Sequence, residues 1–416
     1  MLKIAILFAL LIQFFWDQFL TWLNIDYIKK NISKINSMLP DILKSHINEE
    51  DYIKAAEYSK TNASFGTITD IFNLIIISLV IYYSLLNPIN EWTSNITFPR
   101  VAFCIVLLLI TSFISLPFKV YQVFVIEEKF GFNKTTPKTF IKDFFKGIFL
   151  SILISAPLLW CLFYFYDIAG NLWWFWAFLL FFGFQYTMLI LYPLIIAPLF
   201  NKFTPLENGE LLDEIKKLTT DIKFPLKGVF IMDGSKRSSH SNAYFTGIGK
   251  SKRIVLFDTL VDNLTTKELV SVLAHELGHF KLHHVKINLF LSSAMSLLGF
   301  FILSIFLKSE FFFNRLGYNE PSIHIGLVLL AFILPVFDMI FGPLFNLLSR
   351  KHENHADRFS VITVGEKNSL SNALIKLNKD NLSNPLPHPL YSFISHSHPP
   401  LIERLKFINN LKINFS

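Results

Sequence analysis

Seven stretches of this chain are each long and apolar enough to cross a bilayer as a helix, which takes about 20 residues. They run Ile4–Leu23, Ile68–Leu86, Val101–Phe118, Ile148–Tyr166, Leu172–Phe200, Ile287–Leu307 and Ile323–Leu348. Composition agrees: apolar residues are 52% of the 416, charged residues 17%, and Phe occurs 46 times. A soluble chain of this size needs more polar surface to cover its core. The first stretch follows Lys3 as a signal peptide would, but it is too long, carries Asp17 and lacks a small-residue cleavage site. It reads as a retained span. Cys104 and Cys161 lie within apolar runs and imply no disulfide framework.

The net charge of +7 is distributed unevenly. Lys29, Lys30, Lys34, Lys44, Lys54 and Lys60 follow the first span, and Lys119, Lys129, Lys134, Lys138, Lys142 and Lys146 follow the third. The opposite loops hold only Lys3, Arg100, Lys308 and Arg315. The positive-inside rule then predicts an external N-terminus and a cytoplasmic C-terminus, as an odd number of spans requires. No basic patch with stacking aromatics occurs, so the lipid bilayer is an expected partner and nucleic acid is not.

The chain divides into 1–200, a membrane region of five spans; 201–286, the first half of an aqueous domain; 287–348, spans six and seven; and 349–416, its second half. Within 201–286, Lys227–Met232 and Lys252–Phe257 read as strands, with Asn242–Thr246 as a third. Thr265-Thr-Lys-Glu268 is a capping-box pattern, predicting a helix that continues through Leu269–His284 and runs almost directly into span six. Span seven reads as continuous with a helix through Arg350–Ser360.

The pattern His275-Glu-Leu-Gly-His279 carries the chemistry. Residues four apart on a helix share a face, so two imidazoles can grip one zinc ion, with Glu276 near enough to act as general base. A catalytic zinc lowers the pKa of bound water to about 7 and polarises the scissile carbonyl. It needs a third protein ligand and an open position. A histidine six residues beyond the second would serve, but that position is Val285. His283 and His284 are expected on the same helix, too near the pair to complete a tetrahedron. The better candidates lie in Arg350-Lys-His-Glu353-Asn-His-Ala-Asp357. Glu353 and Asp357 share a helix face, so one can bind metal while the other orients a ligating imidazole. His352 and His355 are rivals.

With these residues in view, the chain resembles the type I CAAX prenyl endopeptidases, which are integral-membrane zinc proteases. The matching segments are Phe124-Val-Ile-Glu-Glu-Lys-Phe-Gly-Phe-Asn133, Gly234-Ser-Lys-Arg-Ser-Ser-His-Ser-Asn-Ala-Tyr-Phe245, Lys252-Arg-Ile-Val-Leu-Phe-Asp-Thr259, the zinc motif, Glu353-x-x-x-Asp357 and Ser397-His-Pro-Pro400. The resemblance implies one zinc per chain with Glu353 as third ligand and Asp357 behind it. It implies that His398 reaches the substrate carbonyl with Arg404 beside it. Asn242, Ala243 and Tyr244 would form the edge along which an extended substrate adds as a strand. It also implies seven helices enclosing a water-filled chamber, toward which Asp17, Gln185 and Asp338 would face or pair with each other.

The fold expected is therefore a seven-span α-helical membrane protein enclosing a chamber, with a cytoplasmic zincin-like α+β catalytic domain. The function expected is zinc-dependent cleavage of peptide bonds near the C-termini of prenylated or hydrophobic peptide or protein substrates. A membrane quality-control protease would use the same residues. A seven-span transporter or receptor with a vestigial zinc site is the rival from another class. The Lys-, Asn- and Ile-rich composition points to a bacterial source and its inner membrane. Asn414-Phe-Ser416 carries no evident retrieval signal.

Overall fold

The computed structural model describes residues 1–32, 48–247 and 252–412. Lys34, Lys44 and Asn414–Ser416 lie outside the described residues. Among the described residues seven helices are long and apolar enough to span: Leu2–Asn31, Glu49–Tyr83, Pro99–Phe130, Pro137–Ile168, Gly170–Phe200, His284–Phe306 and Ile323–Val364. Each overlaps an expected span, the second and sixth ending three residues and one residue short of it, and the protein is a multi-pass integral membrane protein. Large apolar side chains face outward, such as Phe290 at 72% and Leu344 at 60% exposure. Exposed apolar surface on this scale suits lipid as the solvent.

The helices outrun the hydrocarbon. The last, at 42 residues, is about 63 Å long at 1.5 Å per residue, roughly twice the apolar thickness of a bilayer. Its last third, from about Arg350, is a scaffold of the aqueous domain. The bundle packs its apolar core at one end, where Leu10, Ile81, Phe103, Phe163, Phe313 and Leu329 cluster. These residues come from the starts of helices one, three and seven, the ends of two and four and, for Phe313, the short helix Glu310–Leu316, so the core sits at the end away from the aqueous domain.

Between those ends lies the chamber. Asp17 accepts a hydrogen bond from Gln13 of its own helix, and Gln185 Nε2 donates to Ser292 Oγ at 3.3 Å. Asp338 is exposed. A carboxylate at mid-span is tolerable beside water or a partner. The three do not pair with one another, contrary to one of the two expectations.

The aqueous domain contains a four-stranded sheet: β1 Phe203–Pro205, β2 Leu226–Met232, β3 Ala243–Thr246 and β4 Lys252–Phe257, in spatial order β1-β2-β4-β3. β2 and β4 are parallel, and β1 and β3 add antiparallel at the two edges. Helix Glu210–Asp221 and helix Thr266–Lys281 close one core with the sheet, built on Ile215, Val229, Ile254, Leu256, Leu273 and Leu277. The domain docks on the loop between spans three and four: Asn133 bridges Ser238, and Arg237 Nε donates to Asp143 at 2.8 Å. Two of the matching sequence segments thus meet at this joint.

Candidate metal centre and active site

The motif helix begins at the expected capping box. The Thr265 hydroxyl accepts from the Glu268 amide, and the Glu268 carboxylate accepts from the Thr265 amide. Glu268 also pairs with Lys376 at 2.7 Å, tying the helix start to helix Asn368–Asp380 of the second half-domain. The helix then crosses the long helix closely. A Cβ on Gly278 would lie 3.2 Å from the Ala356 backbone and 3.1 Å from the Phe359 ring, so glycine is what allows this approach. Ser360 Oγ donates to the Ser271 carbonyl at 2.7 Å across the same crossing.

That crossing brings together residues 74 or more apart in sequence. His275 Nε2 and His279 Nε2 are 3.2 Å apart, Glu353 Oε1 is 3.2 Å from His279 Nε2, and Glu353 Oε2 is 3.4 Å from His275 Nε2. In a tetrahedral zinc site with bonds of about 2.0–2.1 Å, neighbouring ligand atoms are about 3.3 Å apart. The three side chains have the spacing such an ion demands. Glu353 Oε2 is buried without a hydrogen-bond partner, a costly state that a shared cation relieves. Among the described residues these three are the group able to hold a metal.

Asp357, fully buried, stands behind His275: its Oδ1 is 2.8 Å from Nδ1. This directs Nδ1–H to the carboxylate and leaves the Nε2 lone pair for a metal. Burial opposes a charged His275, but the Asp357 and Glu353 carboxylates beside it outweigh that and push the pKa up to about 9. The same two carboxylates favour any cation at that nitrogen. Asp357 in turn accepts both Nε and Nη2 of Arg404, from helix Leu401–Asn410. Burial works against the Arg404 charge, but Asp357 and then Glu353 hold its pKa above the ordinary value.

Glu276 lines a cavity of about 410 Å³ together with His275, His279, Glu353, His398 and Arg404. His398 reaches it from the loop before the last helix, with Nε2 3.2 Å from Glu353 Oε1 and its side chain 63% exposed. A second cavity, of about 730 Å³, shares Leu374, Leu377, His398 and Arg404 with the first and extends to Asn24, Tyr58 and Asn62 of the first two span helices. Asn242, Ala243 and Tyr244 line neither cavity. They stand at the start of β3, an edge strand with no outer partner among the described residues.

One expectation needs correction. His283 and His284 are not on the motif helix, which ends at Lys281. His283 takes a left-handed conformation (φ 62°), and His284 opens the next helix. His352 is buried against His284, ring over ring at 4.0 Å, and neither belongs to the metal group.

Comparison with known proteins shows the family. Residues 29–202 match the family described as CAAX prenyl protease N-terminal, five membrane helices, and residues 205–412 match peptidase family M48. The chain is 37% identical to a CAAX prenyl protease 1 homolog of Arabidopsis thaliana, covering 89% of this chain and 90% of the relative. It is 36% identical to CAAX prenyl protease 1 of Saccharomyces cerevisiae, covering 94% and 92%. Among solved structures it is similar to that of S. mikatae Ste24p, at 36% identity and a TM-score of 0.90 over 98% of both chains.

Proposed function

The chain belongs to peptidase family M48 and is a membrane metalloendopeptidase, and from that premise we propose that its metal is zinc, held by His275, His279 and Glu353, and its substrates CAAX-type prenylated or hydrophobic peptides. The observation that carries this reading is the set of ligand atoms 3.2–3.4 Å apart beside Glu276 in one cavity.

Bound zinc would supply Lewis-acid polarisation of the scissile carbonyl and a lowered water pKa. Glu276 takes the proton of the attacking water and passes it to the leaving amine. His398 Nε2 donates to the carbonyl oxygen as charge develops there, and its exposed ring leaves room for that contact. Asp357 holds the His275 tautomer. Arg404 neutralises Asp357, and with Nε and Nη2 so engaged it offers only Nη1 to a substrate chain. The free side of β3, from Asn242 to Tyr244, takes an extended substrate as an added strand.

The larger cavity suits the segment beyond the scissile bond. Its described lining includes Asn378, Asn381 and Asn384 for peptide groups, has no Asp or Glu, and carries Arg404 and His396. A short peptide ending in a free carboxylate would meet no like charge there. The Lys-rich loops with Lys54, Lys60, Lys129, Lys138 and Lys142 support a cytoplasmic catalytic domain and an external N-terminus. The Lys-, Asn- and Ile-rich composition supports a bacterial inner membrane.

Purified protein should cleave a farnesylated CAAX peptide and release its C-terminal tripeptide, detected by mass spectrometry. Excess unfolded membrane protein should compete weakly. Cleavage of the unfolded protein with the prenylated peptide left intact would favour quality control instead.

A further inference from the structure

His284 has a position that ligand selection does not explain. The left-handed turn at His283 folds its ring back on the motif helix, so that its Nδ1 lies 3.0 Å from Nδ1 of His279. The other nitrogen of His279, Nε2, faces His275 and Glu353 at 3.2 Å each. The two sides of the His279 ring therefore have separate tasks. An imidazole that ligates through Nε2 carries its proton on Nδ1, and that N–H requires an acceptor. For His275 the acceptor is Asp357. For His279, among the described residues, it is His284.

The acceptor ring is itself fixed. His284 is 3% exposed, and its ring lies parallel to His352 at 4.0 Å and 7°. His352 directly precedes Glu353 on the long helix. His284 is also the first residue of the sixth span helix.

We propose that His284 is a positioning residue of the metal centre: its Nδ1 accepts the His279 Nδ1 proton, and its stack on His352 sets His279 in register with Glu353. This rests on His275, His279 and Glu353 being the ligands. It also joins the metal's geometry directly to the start of span six, with one ligand backed by a carboxylate and the other by an imidazole.

The test is zinc affinity of the full-length protein, measured by chelator competition, with the absorption spectrum of the cobalt-substituted form as a second readout. His284→Phe keeps a flat ring for the stack and removes the acceptor. His284→Asn returns an acceptor oxygen without the ring. His284→Phe should bind zinc about 10–100-fold more weakly and shift the cobalt bands, while His284→Asn recovers most of the affinity. Parent-like affinity in His284→Phe would overturn the proposal. So would equal weakening in both variants, which would assign packing rather than acceptance. Complete loss of zinc in both would make His284 a ligand and overturn it too. A Glu353→Ala protein that keeps its zinc would instead strike the ligand reading underneath.

Discussion

The two ends of the helical bundle are built on opposite plans. Away from the catalytic domain, Leu10, Phe103, Phe163, Leu303 and Leu329 pack as an ordinary apolar core. At the catalytic end the buried residues include His275, His352, Glu353 and Asp357, with Arg404 drawn in beside them. An apolar core accepts volume-conserving exchanges for less than about 1.5 kcal/mol. A buried charge network does not: removing one partner strands the other and costs about 3–5 kcal/mol. The far end holds helices together, whereas the near end holds charges where apolar packing would be more stable. That difference locates the chemistry independently of any motif.

The comparison breaks first, and hardest, at Glu276. Glu276→Gln should keep its metal and lose about 10²–10⁴-fold in kcat, because the base goes while the ligands remain. Single-turnover cleavage with metal content on the same sample checks this. A parent-like rate would remove Glu276 from the reaction. Next is His398→Ala, expected to retain metal and slow kcat by about 10²–10³-fold with KM little changed. If KM alone rises, His398 binds substrate rather than the transition state.

Smaller effects test packing. Gly278→Ala should lower stability by about 1–3 kcal/mol, since its Cβ meets the Ala356 backbone at 3.2 Å. Denaturant midpoints in detergent measure it, and an unchanged midpoint would mean that the helix crossing gives way freely. The smallest effect belongs to the far end. Leu303→Met should cost less than about 1.5 kcal/mol and leave cleavage and metal content unchanged. Lost activity there would show that the far core shapes the active site after all.

How much of this was legible in sequence depends on range. Local signals sufficed for the spans, the capping box, β4 and the histidine pair, because each is written in adjacent residues. Helix Glu210–Asp221 also carries its signal, with Leu211, Leu212, Ile215 and Leu218 on one face. β1, three residues long, exists through its pairing with β2 and has no pattern of its own. What sequence could not supply was partnership across distance. That Arg404 spends its fork on Asp357, 47 residues away, follows only from the fold. The break at Leu282–His283 was hidden too, because a Lys-Leu-His-His run reads as continued helix. Gly278 was visible inside the motif, but its reason, the close approach of Ala356, was not.

The central claim is that two segments separated by two membrane spans jointly hold one zinc ion. Metal analysis of the purified parent, Glu276→Gln and Glu353→Ala proteins tests it most directly. The account predicts near one zinc per chain in the parent and in Glu276→Gln, and little in Glu353→Ala, with only the parent cleaving peptide at full rate. Full zinc occupancy in Glu353→Ala, or an empty site in the parent that still cleaves, would contradict it.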